Sequence, residues 1–241
     1  MSAAADGIRA ALRHAADPDR AAGQQAYMKS AMPFLGATLP DVRRVARDAG
    51  KDLPSPDEAR RLARELWDDA THREERYAGM ILLSAPVVSG DLDSVPLVEH
   101  MVRTGRWWDF TDDLSGRVRE LHDRHPVETA RLVRAWSVDD DMWMRRIAIL
   151  SQLGRRGRVD LALLVELLEP NLGDPEFFIR KAIGWALRDV ARTHPDWVRE
   201  YAATHALSPL SRREALKHLQ SASGTTAAPT MSGAARSPHR M

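Results

Sequence analysis

The sequence predicts an all-α protein, an α-solenoid of antiparallel helix pairs, and three observations carry that prediction. Nearly every apolar run recurs at helical spacing, and no segment alternates with the period of a strand. Turn signals break the chain at short, regular intervals. Trp108, Trp143 and Phe178 recur at 35-residue intervals, and MWMRRIAIL (142–150) is echoed at the same spacing by FFIRKAIGW (177–185). A period in the mid-thirties is the length of two helices with their turns. Stacked pairs of that kind bury a continuous core that one pair could not close alone.

The breaks follow in order: Asp17-Pro18, Leu39-Pro40, Pro54 to Pro56, Ser89-Gly90, Thr104-Gly105, His125-Pro126, Gly173-Asp174-Pro175, His194-Pro195 and Ser208-Pro209. Proline suits the first turn of a helix, where its missing N–H would have had no intrahelical partner. The result is about a dozen helices. Residues 1–220 are expected to form a single repeat domain. Beyond them, residues 221–241 are small, polar and without apolar periodicity, and are expected to be a disordered tail.

Composition narrows the function classes. The 241 residues carry 35 Lys and Arg against 34 Asp and Glu, so net charge alone does not announce a nucleic-acid binder. The absence of cysteine excludes disulfides, thiolate metal sites and thiol nucleophiles. No apolar stretch reaches the length that spans a bilayer, and the N-terminus has no apolar signal core, so a soluble cytoplasmic protein is expected. Histidines lack metal-ligand spacing, and no phosphate loop, GxSxG elbow or HExxH occurs. The Asp139-Asp140-Asp141 run reads as helix caps.

Seven tryptophans against three tyrosines is the unusual feature. On a helical wheel from Arg106 to Arg124, Phe110, Leu114, Val118 and Leu121 form an apolar stripe that includes Trp107, which is therefore expected in the core. Trp108 falls opposite, with Asp112, Ser115 and Arg119, and its ring lies one turn from the Asp112 carboxylate. Between Pro175 and Thr193 the stripe is Ile179, Ala182, Ile183, Ala186, Leu187 and Val190. Trp185 stands away from it beside Lys181, Arg188 and Arg192, a platform for stacking next to phosphates. The competing reading places either indole between repeats as core. Trp67, Trp136, Trp143 and Trp197 are expected to be core. Arg146 falls inside an apolar arc, where a guanidinium needs either an acid in the protein or a phosphate. The five arginines between Arg145 and Arg158, with no acid among them, mark either a solvated face or a phosphate-binding surface that includes Arg155 and Arg156.

YMKSAMPFLGATLPDVRR (27–44), ELWD (65–68), RWWDFTDD (106–113), MWMRRIAILSQL (142–153), EFFIRKAIGWALRDVAR (176–192) and PLSRREALKHL (209–219) together resemble the AlkD-like DNA alkylation repair glycosylases. That resemblance implies HEAT-like repeats around a basic concave groove that cradles duplex DNA. It implies excision of cationic N3- and N7-alkylated purines by hydrolysis of the N-glycosidic bond, without base flipping and without a metal or other cofactor. It further implies a cytoplasmic, nucleoid-associated monomer acting in base excision repair on duplex DNA with alkylated bases. By motif, the catalytic residues would be Trp108, Asp112 and Trp185. Arg146 and Tyr27 would contact DNA, with Lys181, Arg188, Arg192, Arg155 and Arg156 as further basic contacts. An extra acid, Asp113, and a one-residue length difference before His125 depart from the family pattern. Two alternatives use the same scaffold: a non-catalytic binder of DNA structures, and a protein-interaction solenoid.

Overall fold

The computed structural model describes residues 2–219, and among these residues there are thirteen α-helices and no strand. They are α1 (Ala3–His14), α2 (Pro18–Met28), α3 (Leu39–Lys51), α4 (Pro56–Asp68), α5 (Arg73–Leu82), α6 (Val95–Gly105), α7 (Trp108–Arg124), α8 (Pro126–Ser137), α9 (Met142–Leu150), α10 (Leu161–Leu168), α11 (Phe177–Val190), α12 (Pro195–Thr204) and α13 (Pro209–Leu216). The residues from 221 onward, expected from composition to be a disordered tail, lie outside the described residues.

Local chemistry explains the boundaries. Pro18, Pro56, Pro126, Pro195 and Pro209 each open a helix, and Pro40 is the second residue of α3. Side chains of Ser2, Asp17, Thr38, Ser55, Asp141, Asp160 and Ser208 accept hydrogen bonds from the free N–H groups of the first turn. Asp141 confirms the capping role read from the acidic run. Asp139 instead forms an ion pair with Arg103 at 2.6 Å.

The helices stack in two layers. Helices α3, α5, α7, α9, α11 and α13 form one continuous row, each packed on the next, while α4, α6, α8 and α10 back it. Hydrogen bonds between repeats match the sequence period. Trp67 Nε1 donates to Thr104 Oγ1 (2.9 Å), Trp136 Nε1 to Glu99 Oε1 (2.7 Å), and Asn171 Nδ2 to the Ser137 carbonyl (2.9 Å), across 37, 37 and 34 residues. The period thus fixes which neighbours can satisfy the buried indole and amide donors. Trp67, Trp136 and Trp143 are buried in the larger core, and Trp197 packs partly exposed on Tyr201. Trp67, Trp136 and Trp143 are core as expected, whereas Trp197, expected in the core, packs at its edge.

The first repeat departs from the regular stack. Residues 29–38 run as an extended segment pinned from below by buried Glu74, whose carboxylate accepts the N–H groups of Leu35 (2.9 Å) and Gly36 (2.9 Å). Gly36 has φ +84° and a Cβ there would lie 1.9 Å from the Asp17 carbonyl oxygen, so only glycine lets the segment close on α2. Tyr27 and Lys29, at the junction of α2 with this segment, line one cleft with Trp107 and Trp108 at the start of α7.

Between α7 and α9, His122 is buried with Nε2 3.2 Å from Ser151 Oγ. Burial, aided by nearby Arg155, pulls the ring from 6.5 down to about 4. A base whose folded value is depressed binds its proton more readily when unfolded, so stability is lost as pH falls from about 6.5 toward 4. The loss attributable to this ring is about 3 kcal/mol by 1.36 kcal/mol per unit. Urea unfolding of wild type and His122→Gln across that pH window checks it: the variant's stability is expected to fall less on acidification. Parallel profiles would contradict it.

Candidate active site

Helix α7 begins at Trp108, and two devices fix this end. Trp107 precedes the helix in extended conformation (φ −149°), and Asp109 in the first turn is clamped by α5. Arg73 Nη2 donates to Asp109 Oδ1 (2.7 Å), Tyr77 OH donates to Asp109 Oδ2 (2.6 Å), and the Arg73 guanidinium stacks 4.1 Å from the centre of the Phe110 ring. The carboxylate also sits at the helix end where negative charge is favoured. Trp108 is thereby held partly exposed at the row's surface, with Asp112 one turn along.

Asp112 meets α9. Arg146 Nε donates to Asp112 Oδ1 (2.8 Å) and Nη2 to Oδ2 (2.9 Å), while Nη1 donates to the Phe178 carbonyl at the start of α11. The side chains are 4% and 13% exposed, so this is a buried, two-pronged ion pair spanning three helices of the row. Burial raises the Asp112 carboxyl above the ordinary carboxylate value, with the Arg146 contacts opposing that rise and neighbouring Asp109 and Asp113 adding to it. Of the two partners the sequence allowed Arg146, the structure shows the acid.

A cleft of about 580 Å³ opens over this pair. Trp108 and Trp185 both line it together with Asp112 and Arg146, and so do Tyr27, Lys29, Lys181 and Arg188. Trp107 needs correction: it is half-buried rather than core, packs against Trp143 and Phe178 (ring centres 6.3 and 5.8 Å), and lines the same cleft. It precedes the first helical residue, so the wheel did not apply to it. Phe177, Phe178 and Lys29 complete the wall and were not singled out by sequence reasoning. The Trp-Phe correspondence of the 35-residue repeat was the only available signal for Phe178.

The cations around the cleft are mostly already paired. Lys181 and Arg188 both reach Glu214 on α13, at 2.7 Å for Lys181. Arg145 pairs with Asp174 (2.9 Å), and Arg155 and Arg158 share Asp123 (3.3 and 2.7 Å). Arg156 is exposed, in left-handed conformation (φ 54°), and Arg192 is exposed after α11. Arg155, Arg156 and Arg192 do not line the cleft. Tyr27 projects outward, 76% exposed.

The row of stacked helix pairs with an indole–carboxylate–indole cleft defines a helical-repeat protein with one composite site. A family model for the DNA alkylation repair enzymes matches residues 8–219, and the chain belongs to that family. A predicted DNA alkylation repair enzyme from Enterococcus faecalis shares 28% identity, with 85% of this chain and 96% of that one aligned and a TM-score of 0.74. AlkD2 from Streptococcus mutans aligns over 75% of this chain and 87% of its own with a TM-score of 0.59, and at 16% identity it supports the fold alone. No curated protein matches the sequence. No helix among the described residues is long and apolar enough to cross a membrane.

Removing one partner of a buried ion pair leaves an uncompensated charge. Arg146→Met is therefore expected to cost about 3–5 kcal/mol of stability. The double variant Arg146→Met with Asp112→Leu should recover most of that loss. Chemical denaturation of the cycle checks this, and additive losses would contradict it.

Proposed function

We propose that this protein is a monofunctional DNA glycosylase that hydrolyses the N-glycosidic bond of cationic N3- and N7-alkylated purines in duplex DNA. The observation that carries the reading is that Trp108 and Trp185 line one cleft together with a buried carboxylate, Asp112. A purine alkylated at N3 or N7 is already cationic and departs as a neutral base, so the protein need not protonate it. What requires help is the sugar, which becomes oxocarbenium-like as the bond breaks. Asp112 supplies negative charge in a site partly shielded from water, where it acts more strongly than it would in solvent. The indole faces of Trp108 and Trp185 stabilise the same developing cation. Arg146 holds the carboxylate rigid by binding both oxygens, so orientation costs nothing at the moment of reaction.

The reading leaves the lesion in the duplex and brings the protein to its sugar. Tyr27, Lys29 and Lys181 stand at the rims for contacts with the backbone, joined by Arg188, Arg192 and the outlying Arg155 and Arg156. Phosphates would compete with Glu214 for Lys181 and Arg188.

A second reading, a non-catalytic binder of DNA structures, draws on the same ion pair, because Arg146 neutralises the carboxylate the chemistry would use. Methylated duplex DNA separates the two. Wild type is expected to release 7-methylguanine or 3-methyladenine without added metal, and Asp112→Asn to lose at least about 100-fold in single-turnover rate. Tight binding by wild type with no base release would leave only the binder. The acidic limb of the rate profile supplies an independent check. Burial raises Asp112, so activity is expected to fall on acidification before pH reaches 3.8, and a limb at or below 3.8 would contradict the role.

A further inference from the structure

Among the described residues, three besides glycines adopt the left-handed backbone region, and all three are cations: Lys29 (φ 49°), Arg106 (φ 45°) and Arg156 (φ 54°). Lys and Arg are only 35 of the 241 residues, so composition does not supply that coincidence. A side chain at positive φ costs conformational energy that glycine avoids, and such positions persist where the side chain itself is needed.

Lys29 and Arg106 stand where helices usually end on glycine. After α2, the Lys29 N–H donates to the Ala26 carbonyl (3.2 Å) and the Ser30 N–H to the Gln25 carbonyl (3.1 Å), a crossed pair whose left-handed residue is normally glycine. After α6, the Arg106 N–H donates to the Val102 carbonyl (3.1 Å), the simpler form of the same turn. Both cations adjoin the cleft. Lys29 lines it, and Arg106 immediately precedes Trp107 and Trp108, which line it too. Both side chains are exposed, and neither makes an ion pair or hydrogen bond among the described residues. The other cations of the cleft are neutralised, Arg146 by Asp112 and both Lys181 and Arg188 by Glu214. Lys29 is thus the one cleft cation without a counter-charge among the described residues, and Arg106 adds a second beside the indoles.

We propose that Lys29 and Arg106 bind backbone phosphates of duplex DNA on either side of the sugar held in the cleft, and that their left-handed turns are retained to present them. This rests on the duplex-DNA reading above and adds Arg106 to it. Phosphate oxygens supply the counter-charge that the protein does not. A cation also suits a helix C-terminus through the helix dipole. That effect alone would make the two charges matter to stability and not to DNA. The proposal requires the reverse: the backbone conformation costs stability, and the charge serves binding.

Urea unfolding and binding to an unmodified duplex over a range of salt concentrations would be measured for wild type and for Lys29 and Arg106 each replaced by Gly and by Asn. Asn tolerates the left-handed region while removing the charge. The glycine variants are expected to unfold at or above the wild-type urea midpoint. All four are expected to bind more weakly than wild type at low salt. Between about 50 and about 200 mM salt each should lose about threefold less affinity than wild type, the share of one phosphate contact. Lys29→Arg and Arg106→Lys, which keep the charge, should keep the wild-type salt dependence. Wild-type affinity and salt dependence in the neutral variants would overturn the proposal. So would weaker binding in the Gly variants alone, which would trace the effect to backbone freedom, or a lowered midpoint in both of them, which would trace the cations to the helix ends. No duplex binding by wild type would instead sink the DNA reading itself.

Discussion

The Asp112–Arg146 pair is the constraint on which the rest of the site depends. It ties α7 to α9, and through the Phe178 carbonyl it reaches α11 as well. Three successive helices of the row are thereby fixed in register at the point where the cleft opens. A buried ion pair seldom adds much net stability over a well-packed apolar substitute, because desolvation of both charges offsets their attraction. Its presence here makes sense as specification: it holds a carboxylate in the cleft that two indoles line, at the cost of a safer core.

The repeat architecture makes such an arrangement possible. Each helix pair presents one surface position per period to the same side of the stack, so Trp108, Arg146 and Trp185, on different repeats, converge without any loop being shaped for them. The ion pairs that stitch the row obey the same rule. Arg73–Asp109 spans 36 residues, Arg103–Asp139 spans 36, Arg146–Asp112 spans 34 and Lys181–Glu214 spans 33. These contacts place charge at repeat boundaries, where neither partner could be satisfied within its own repeat.

Much of this was legible in the sequence, for a physical reason. Prolines, capping residues and a mid-thirties period act locally or between neighbours, so they announce helices and stacking directly. The positions of Trp108, Asp112 and Trp185 off their apolar stripes followed from helix geometry alone. Trp107 did not, because it sits one residue before α7, where helical phase has no meaning. Nor could the sequence show that Lys181 and Arg188 are shared by Glu214, or that Arg155 is drawn to Asp123, since those partners lie on other elements. The basic surface read from the arginine run is therefore less free than composition implied.

The claim at the centre of the account is that the indole–carboxylate cleft recognises a sugar cation. Duplex DNA carrying a cationic aza-sugar in place of one deoxyribose imitates that species without reacting. Its affinity, measured against the same duplex with an uncharged abasic analogue, tests the claim most directly. The account predicts that the cationic duplex binds at least about 100-fold tighter, and that Asp112→Asn abolishes the difference. Equal affinity for the two duplexes would contradict it.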